Sequence, residues 1–246
     1  MTSTYPYALS LPRYRELMAR DFPVLHELAG HALTLAIPAC PDWTGEDLAR
    51  HTALVFLQKA ETMRTGVKPK GRWLPEELLR LDALPLLEEG YKQVVEQFDA
   101  HDPADPAESW VPDDQTVGFW IRRLAHETAM HRHDAEAALE RPVPIDEELA
   151  IDGIDEVLTV MLGRGAPDDS ASGGTVVIES GGKFWSAILE RESVPIRWQD
   201  SSSPEGRVSG GASEVLLWLW GRGPLPDGST DNAAVAELRT RLAAAT

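Results

Sequence analysis

The sequence predicts an α plus α/β protein, with a four-helix bundle over residues 1–145 and a small α/β domain over 146–246. Three observations predict it. Four apolar patterns of helical period fill the first part of the chain. Proline- and glycine-rich stretches separate them. After about residue 145 the long periods give way to short β-like runs around a Gly-Gly pair.

The first helix is expected over 12–36, where Leu17, Met18, Phe22, Leu25, Leu28, Ala29 and Leu33 recur on one face. Pro23 lies inside this pattern and predicts a kink or break, and Pro38 and Pro41 end the segment. The second helix has a legible start. Thr44 is an N-cap, Asp47 completes a capping-box-like pair, and Trp43 and Leu48 stand at the positions of a hydrophobic staple. This helix is expected to run to about residue 65, and 66–76 reads as a loop. The third is expected over 76–100 on Leu79, Leu81, Leu84, Leu87, Tyr91, Val94, Val95 and Phe98. A Pro- and Asp-rich connection over 101–114 leads to the fourth, over roughly 116–139. Four such helices joined by loops suggest an antiparallel bundle.

The second part opens with a helix over 146–163 and a Gly/Ser-rich loop, APDDSASGG. Strands are expected at Thr175–Glu179, Lys183–Glu190, Pro195–Gln199 and Arg207–Ser209, the first two joined by a tight turn at Gly181–Gly182. Helices at Ala212–Trp220 and near 231–244 end the chain.

Composition excludes several roles. Asp and Glu outnumber Lys and Arg 40 to 23, for a net charge of -17. A duplex-binding surface needs clustered cations to displace counterions, so nucleic acid is not an expected partner. An anionic membrane surface is disfavoured for the same reason. An anionic small substrate in a local basic pocket remains compatible. The single cysteine, Cys40, allows no intramolecular disulfide and no multi-thiolate metal site. The N-terminus lacks the basic and apolar regions of a signal peptide, and no stretch approaches the ~20 apolar residues of a membrane span. The default expectation is a cytoplasmic protein.

The informative segment is WIRRLAHETAMHRHDAEAA, residues 120–138. A zinc-protease HExxH motif needs two histidines four residues apart, about 40° around a helix. His126 and His131 are five apart, about 140° around, and do not share one metal from a regular helix. Glu127 and His131 are four apart and share a face with Trp120, Leu124, Asp134 and Ala138. Trp120 and Leu124 mark that face as core-directed. Ionisable groups there are costly unless paired, hydrogen-bonded or bound to a metal. A third ligand must come from another helix, and His51, on the face of Leu48 and Val55, is the best placed. His2Glu is a zinc catalytic set that leaves a position for water or substrate. Asp134 is placed to orient His131. Two plainer readings stand beside this one: His51 as an ordinary core histidine, and Glu127 with His131 as a simple hydrogen-bonded pair. His126 and His133 point off the face and read as surface or structural residues.

Three stretches carry a resemblance: IPACPDWTGEDLARH (37–51), WIRRLAHETAMHRHDAE (120–136) and VSGGASEVLLWLWGR (208–222). Together they resemble the mycothiol-dependent maleylpyruvate isomerase family. The resemblance implies a DinB-like metal-binding four-helix bundle joined to a small α/β C-terminal domain. It implies a divalent metal, expected to be zinc, on His51, Glu127 and His131, and mycothiol as the thiol cofactor. It implicates Arg222 in contact with substrate or cofactor, although an arginine in the last helical turn also complements the helix dipole, with Gly223 as the C′ cap. The implied reaction is addition of the cofactor thiolate to an activated double bond, rotation, and loss of the thiol to give the trans isomer. Thiol S-transfer can use the same site, because fold and metal do not fix the chemistry. A thiol-independent metal-dependent hydrolase and a non-catalytic metal or small-ligand binding protein are the other readings. The expected partners are a small-molecule substrate and a low-molecular-weight thiol. Nothing in the sequence sets the oligomeric state.

Overall fold

The computed structural model describes residues 5–164 and 167–246. The first four residues of the segment read above against a signal peptide, and Ala166 of the Gly/Ser-rich loop, lie outside the described residues. The chain divides into two compact units: Ser10–Val143, and Pro144–Thr246 together with the residues up to Leu9.

The first unit is helical. Helix α1 spans Leu11–His31, α2 Gly45–Thr65, α3 Glu76–Leu79, α4 Ala83–Ala100 and α5 Val117–Ala138. The chief packings are α2 on α4 and α1 on α5, with further contacts of α2 to α5 and α1. Helix α1 continues through Pro23, because Leu17, Met18, Phe22 and Leu25 are anchored in the core on either side of it. Phe22 lies flat on Tyr91 of α4, ring centroids 3.7 Å apart. The helix ends at His31, short of the expected 36. Its chain folds back on itself there, with Ile37 N–H donating to Trp43 O, and the Gly45 and Glu46 N–H groups to Leu35 O and Leu33 O. That loop pins the start of α2, where the Thr44–Asp47 capping box is formed in both directions.

The single helix expected over 76–100 is two. The break lies at Arg80–Asp82, and Asp82 stands at the N-cap position of α4 without a side-chain capping bond. Pro85 supplies the reason. A proline is tolerated in a first turn but disrupts a helix interior, so α4 has to begin just before it. Leu79, placed in the core by periodicity, is instead exposed. Helix α5 also differs from a half-buried stripe, since nearly every residue from Val117 to Glu136 is buried. Arg132 pairs with Glu136 at 3.2 Å, which makes burial of those charges tolerable.

In the second unit, α6 spans Glu147–Glu156 and passes into a π turn, Val157–Met161, and a 3₁₀ turn, Leu162–Arg164, where one regular helix was expected. Strands β1 Thr175–Ser180, β2 Lys183–Ile188, β3 Ile196–Arg197 and β4 Gly206–Ser209 form a sheet in the order β3-β2-β1-β4. The first two pair antiparallel, with Ser180 opposite Lys183, and β1 pairs parallel with β4. Gly181 and Gly182 both have positive φ, 54° and 69°, as a two-residue hairpin turn requires. Strand β3 is shorter than expected. Pro195 has no N–H for the ladder and contributes only its carbonyl, to Ile188 N–H. Helix α7, Ala212–Leu219, packs on α6, and α8, Ala233–Ala245, packs on β1 and β4. Among the described residues no helix is long and apolar enough to cross a membrane.

Candidate metal centre

The first unit brings His51, Glu127 and His131 together. One ligand atom from each lies within 4.8 Å of the others. The two α5 residues meet because they are one turn apart. His51 arrives from α2, which packs against α5. His131 Nε2 is 3.1 Å from Glu127 Oε1, and His51 Nε2 is 3.6 Å from the same oxygen. The two imidazoles sit edge to face, centroids 5.3 Å apart.

The surrounding residues fix these groups. Asp134 Oδ2 lies 3.0 Å from His131 Nδ1 and holds the ring so that Nε2 faces Glu127. Arg123, one turn before Glu127, donates to Glu127 Oε2 and leaves Oε1 toward the histidines. Trp43 packs on His51 at 4.8 Å, so the loop before α2 orders that ring. Exposure is graded: the side chains of His131 and Glu127 are 8% and 12% exposed, that of His51 39%. The centre is therefore rooted in the core and open on the His51 side.

Electrostatics agrees with this arrangement. Burial opposes the charged form of His131, but Glu127 and Asp134 outweigh it and raise its pKa to about 9. Burial likewise opposes ionised Glu127, and His131 and Arg123 outweigh it and hold the carboxyl well below its usual range. Without a metal the pair is an imidazolium on a carboxylate. A divalent cation in place of the Nε2 proton meets the same carboxylate, and two neutral imidazoles with one carboxylate are a borderline-soft donor set suited to zinc. Among the described residues the cluster offers three candidate metal ligands. The residues present fit a catalytic rather than a closed structural metal site.

A cavity of about 410 Å³ adjoins His51, walled by Leu54 and Val55 of α2, Leu79 of α3, and Arg72 and Trp73 of the loop between them. No sequence motif marks that loop. Lys59 was also missed. Its ammonium lies 4.6 Å over the Trp120 ring, and burial pushes its pKa down to about 8. His126 and His133 are not surface residues, since both are 6% exposed. His126 meets Tyr14 edge to face, and burial lowers the His133 pKa.

Arg222 belongs to the other unit. Gly221, at φ 70°, is the residue that closes α7, in place of the expected Gly223. Gly221 N–H donates to Trp218 O and Arg222 N–H to Leu217 O, the Schellman pattern. The Arg222 guanidinium donates to Trp220 O at 3.0 Å.

Two family models match the chain: the mycothiol maleylpyruvate isomerase N-terminal domain over residues 15–136, and the C-terminal domain of the same isomerases over 148–244. The fold is similar to the crystal structure of the mycothiol-dependent maleylpyruvate isomerase, with a TM-score of 0.62 and 15% identity over 90% of this chain and 92% of that one. A variant of that isomerase gives a TM-score of 0.63 and 14% identity over the same shares. At these identities the likeness carries the fold alone. No curated protein matches the sequence.

Proposed function

The chain belongs to the mycothiol maleylpyruvate isomerase family, and on that premise we propose that it is a metal- and mycothiol-dependent enzyme of thiolate addition, an isomerase or a related thiol S-transferase. One observation carries the reading: His51, Glu127 and His131 converge as a three-ligand set that is open on one side.

His51 Nε2, Glu127 Oε1 and His131 Nε2 are the proposed ligands. A divalent ion held there, zinc by the donor set, would supply Lewis acidity that favours the thiolate form of a cofactor thiol. The chain's own residues do the rest. Asp134 fixes the tautomer and direction of His131. Arg123 offsets the charge of Glu127 and leaves one carboxylate oxygen for ligation. Burial of Glu127 and His131 lowers the local dielectric response, so charge interactions at the centre are stronger than in water. Arg222 is proposed to contact substrate or cofactor through its planar fork of donors and to steady a developing enolate. That role rests on the family resemblance. The protein is proposed to work in the cytoplasm, where thiols stay reduced.

The test is zinc uptake followed by thiol dependence. The full chain should take up about one zinc, and Glu127→Ala should abolish uptake. The zinc-loaded enzyme should isomerise maleylpyruvate, or conjugate an electrophile, only with mycothiol present. Turnover of an ester or amide at the same rate without thiol contradicts the reading and favours a metal hydrolase.

A further inference from the structure

We propose that the cavity beside His51 is a substrate pocket for a carboxylate with a sizeable alkyl or aryl body, anchored at its charged end by Arg72; this rests on the metal-centre reading above. At about 410 Å³ the cavity is within the ~300–1,000 Å³ range of small-molecule sites. Its floor follows from helix periodicity. His51, Leu54, Val55 and Gln58 lie at i, i+3, i+4 and i+7, one face of α2. The pocket therefore starts at a proposed metal ligand and runs along the helix for about 10 Å, two turns.

The facing wall is Trp73 with Leu79. Leu54 and Leu79 are 37% and 47% exposed, although both are large and apolar. An apolar ligand body laid on them removes that surface from water, worth roughly 25 cal/mol per Å². Polar groups are few on this wall. Gln58 already accepts from Lys59 at 2.6 Å. Arg72 is the charged group, and its donors are available. Its ion partner among the described residues, Glu76, is 3.9 Å away and is already bonded by Arg80 at 3.0 Å. Gly71, at φ 65°, gives the loop the left-handed turn that precedes Arg72 and Trp73. A polyhydroxylated thiol needs many donors and acceptors, which this wall does not offer. A short dicarboxylate leaves the leucines wet. The match is one anionic end and one apolar body.

The test uses the zinc-loaded full chain and calorimetric titration with butanoate, hexanoate, octanoate, 1-octanol and succinate. Affinity should rise about fourfold per methylene until the cavity is filled. Leu54→Asp should flatten the series. Arg72→Ala should weaken octanoate about tenfold and leave 1-octanol unchanged. Succinate binding more tightly than octanoate, a flat series in the unaltered protein, or a series that survives Leu54→Asp overturns the proposal. Zinc uptake is measured in every variant. A flat series with intact zinc uptake overturns the pocket alone, whereas a steep series without zinc uptake overturns the metal centre alone.

Discussion

His131 is an imidazole between two carboxylates, and its neighbours decide its chemistry more than its own type does. With its pKa raised to about 9, it is protonated at neutral pH in the metal-free protein. Metal binding has to displace that proton. Zinc titrations at pH 7 in buffers of different ionisation enthalpy should therefore show release of about one proton, and equal heats in all buffers contradict this. Asp134→Asn keeps the shape but weakens the hold on Nδ1, and should cost roughly 10–100-fold in zinc affinity with folding intact. At this scale the sequence was informative. The i,i+4 spacing put Glu127 and His131 on one face, and His51 was the inward imidazole on a second helix. Arg123 was not legible as a site residue, because an arginine one turn from a glutamate is usually an exposed ion pair. Only burial of the Arg123 side chain to 8% exposure gives it a different weight.

The elements set where these residues meet. Helix α2 carries His51, and its approach to α4 depends on Gly90. A Cβ there would come within 2.9 Å of Ala53 O and 3.1 Å of Phe56 Cβ. Gly90→Ala gains about 1 kcal/mol of helix propensity but drives a methyl into backbone. The net expectation is a loss of about 1–3 kcal/mol by urea unfolding, as for other overpacked contacts. An unchanged or raised midpoint contradicts the close approach. Thr44→Ala removes a side-chain cap and should cost about 1 kcal/mol. The start of α2 was legible because its cap is local. The break before α4 has its signal in Pro85, which the strong leucine pattern around it obscures. The substrate-pocket wall had no signal at all. Its residues come from α2, a loop and α3, and only tertiary packing joins them.

For the whole molecule, the pair at the centre links stability to pH. The folded pKa of His131 is raised above its ordinary 6.5, so its contribution is full below pH 6.5 and is lost as pH rises through about 9. Glu127 is shifted the other way. Its contribution is present above its ordinary 4.5 and is lost as pH falls. Metal-free protein should thus gain most from this pair between about pH 4.5 and 6.5. Urea unfolding at pH 6 and pH 9.5 should show the decline, and Glu127→Gln should remove most of it. Zinc at 100 times its dissociation constant should add about 2.7 kcal/mol to the unaltered protein and nothing to Glu127→Ala. The acidic balance, -17 overall, was readable without any structure and predicts no retention on duplex DNA at physiological salt.

The triad is proposed to bind a metal that holds a thiol. Calorimetric titration of mycothiol into the zinc-loaded full chain, with metal-free protein and His131→Ala as controls, tests it most directly. Binding to the zinc-loaded protein that disappears in both controls is the expected result. Absence of binding to fully loaded protein, or equal binding by the His131→Ala variant, contradicts it.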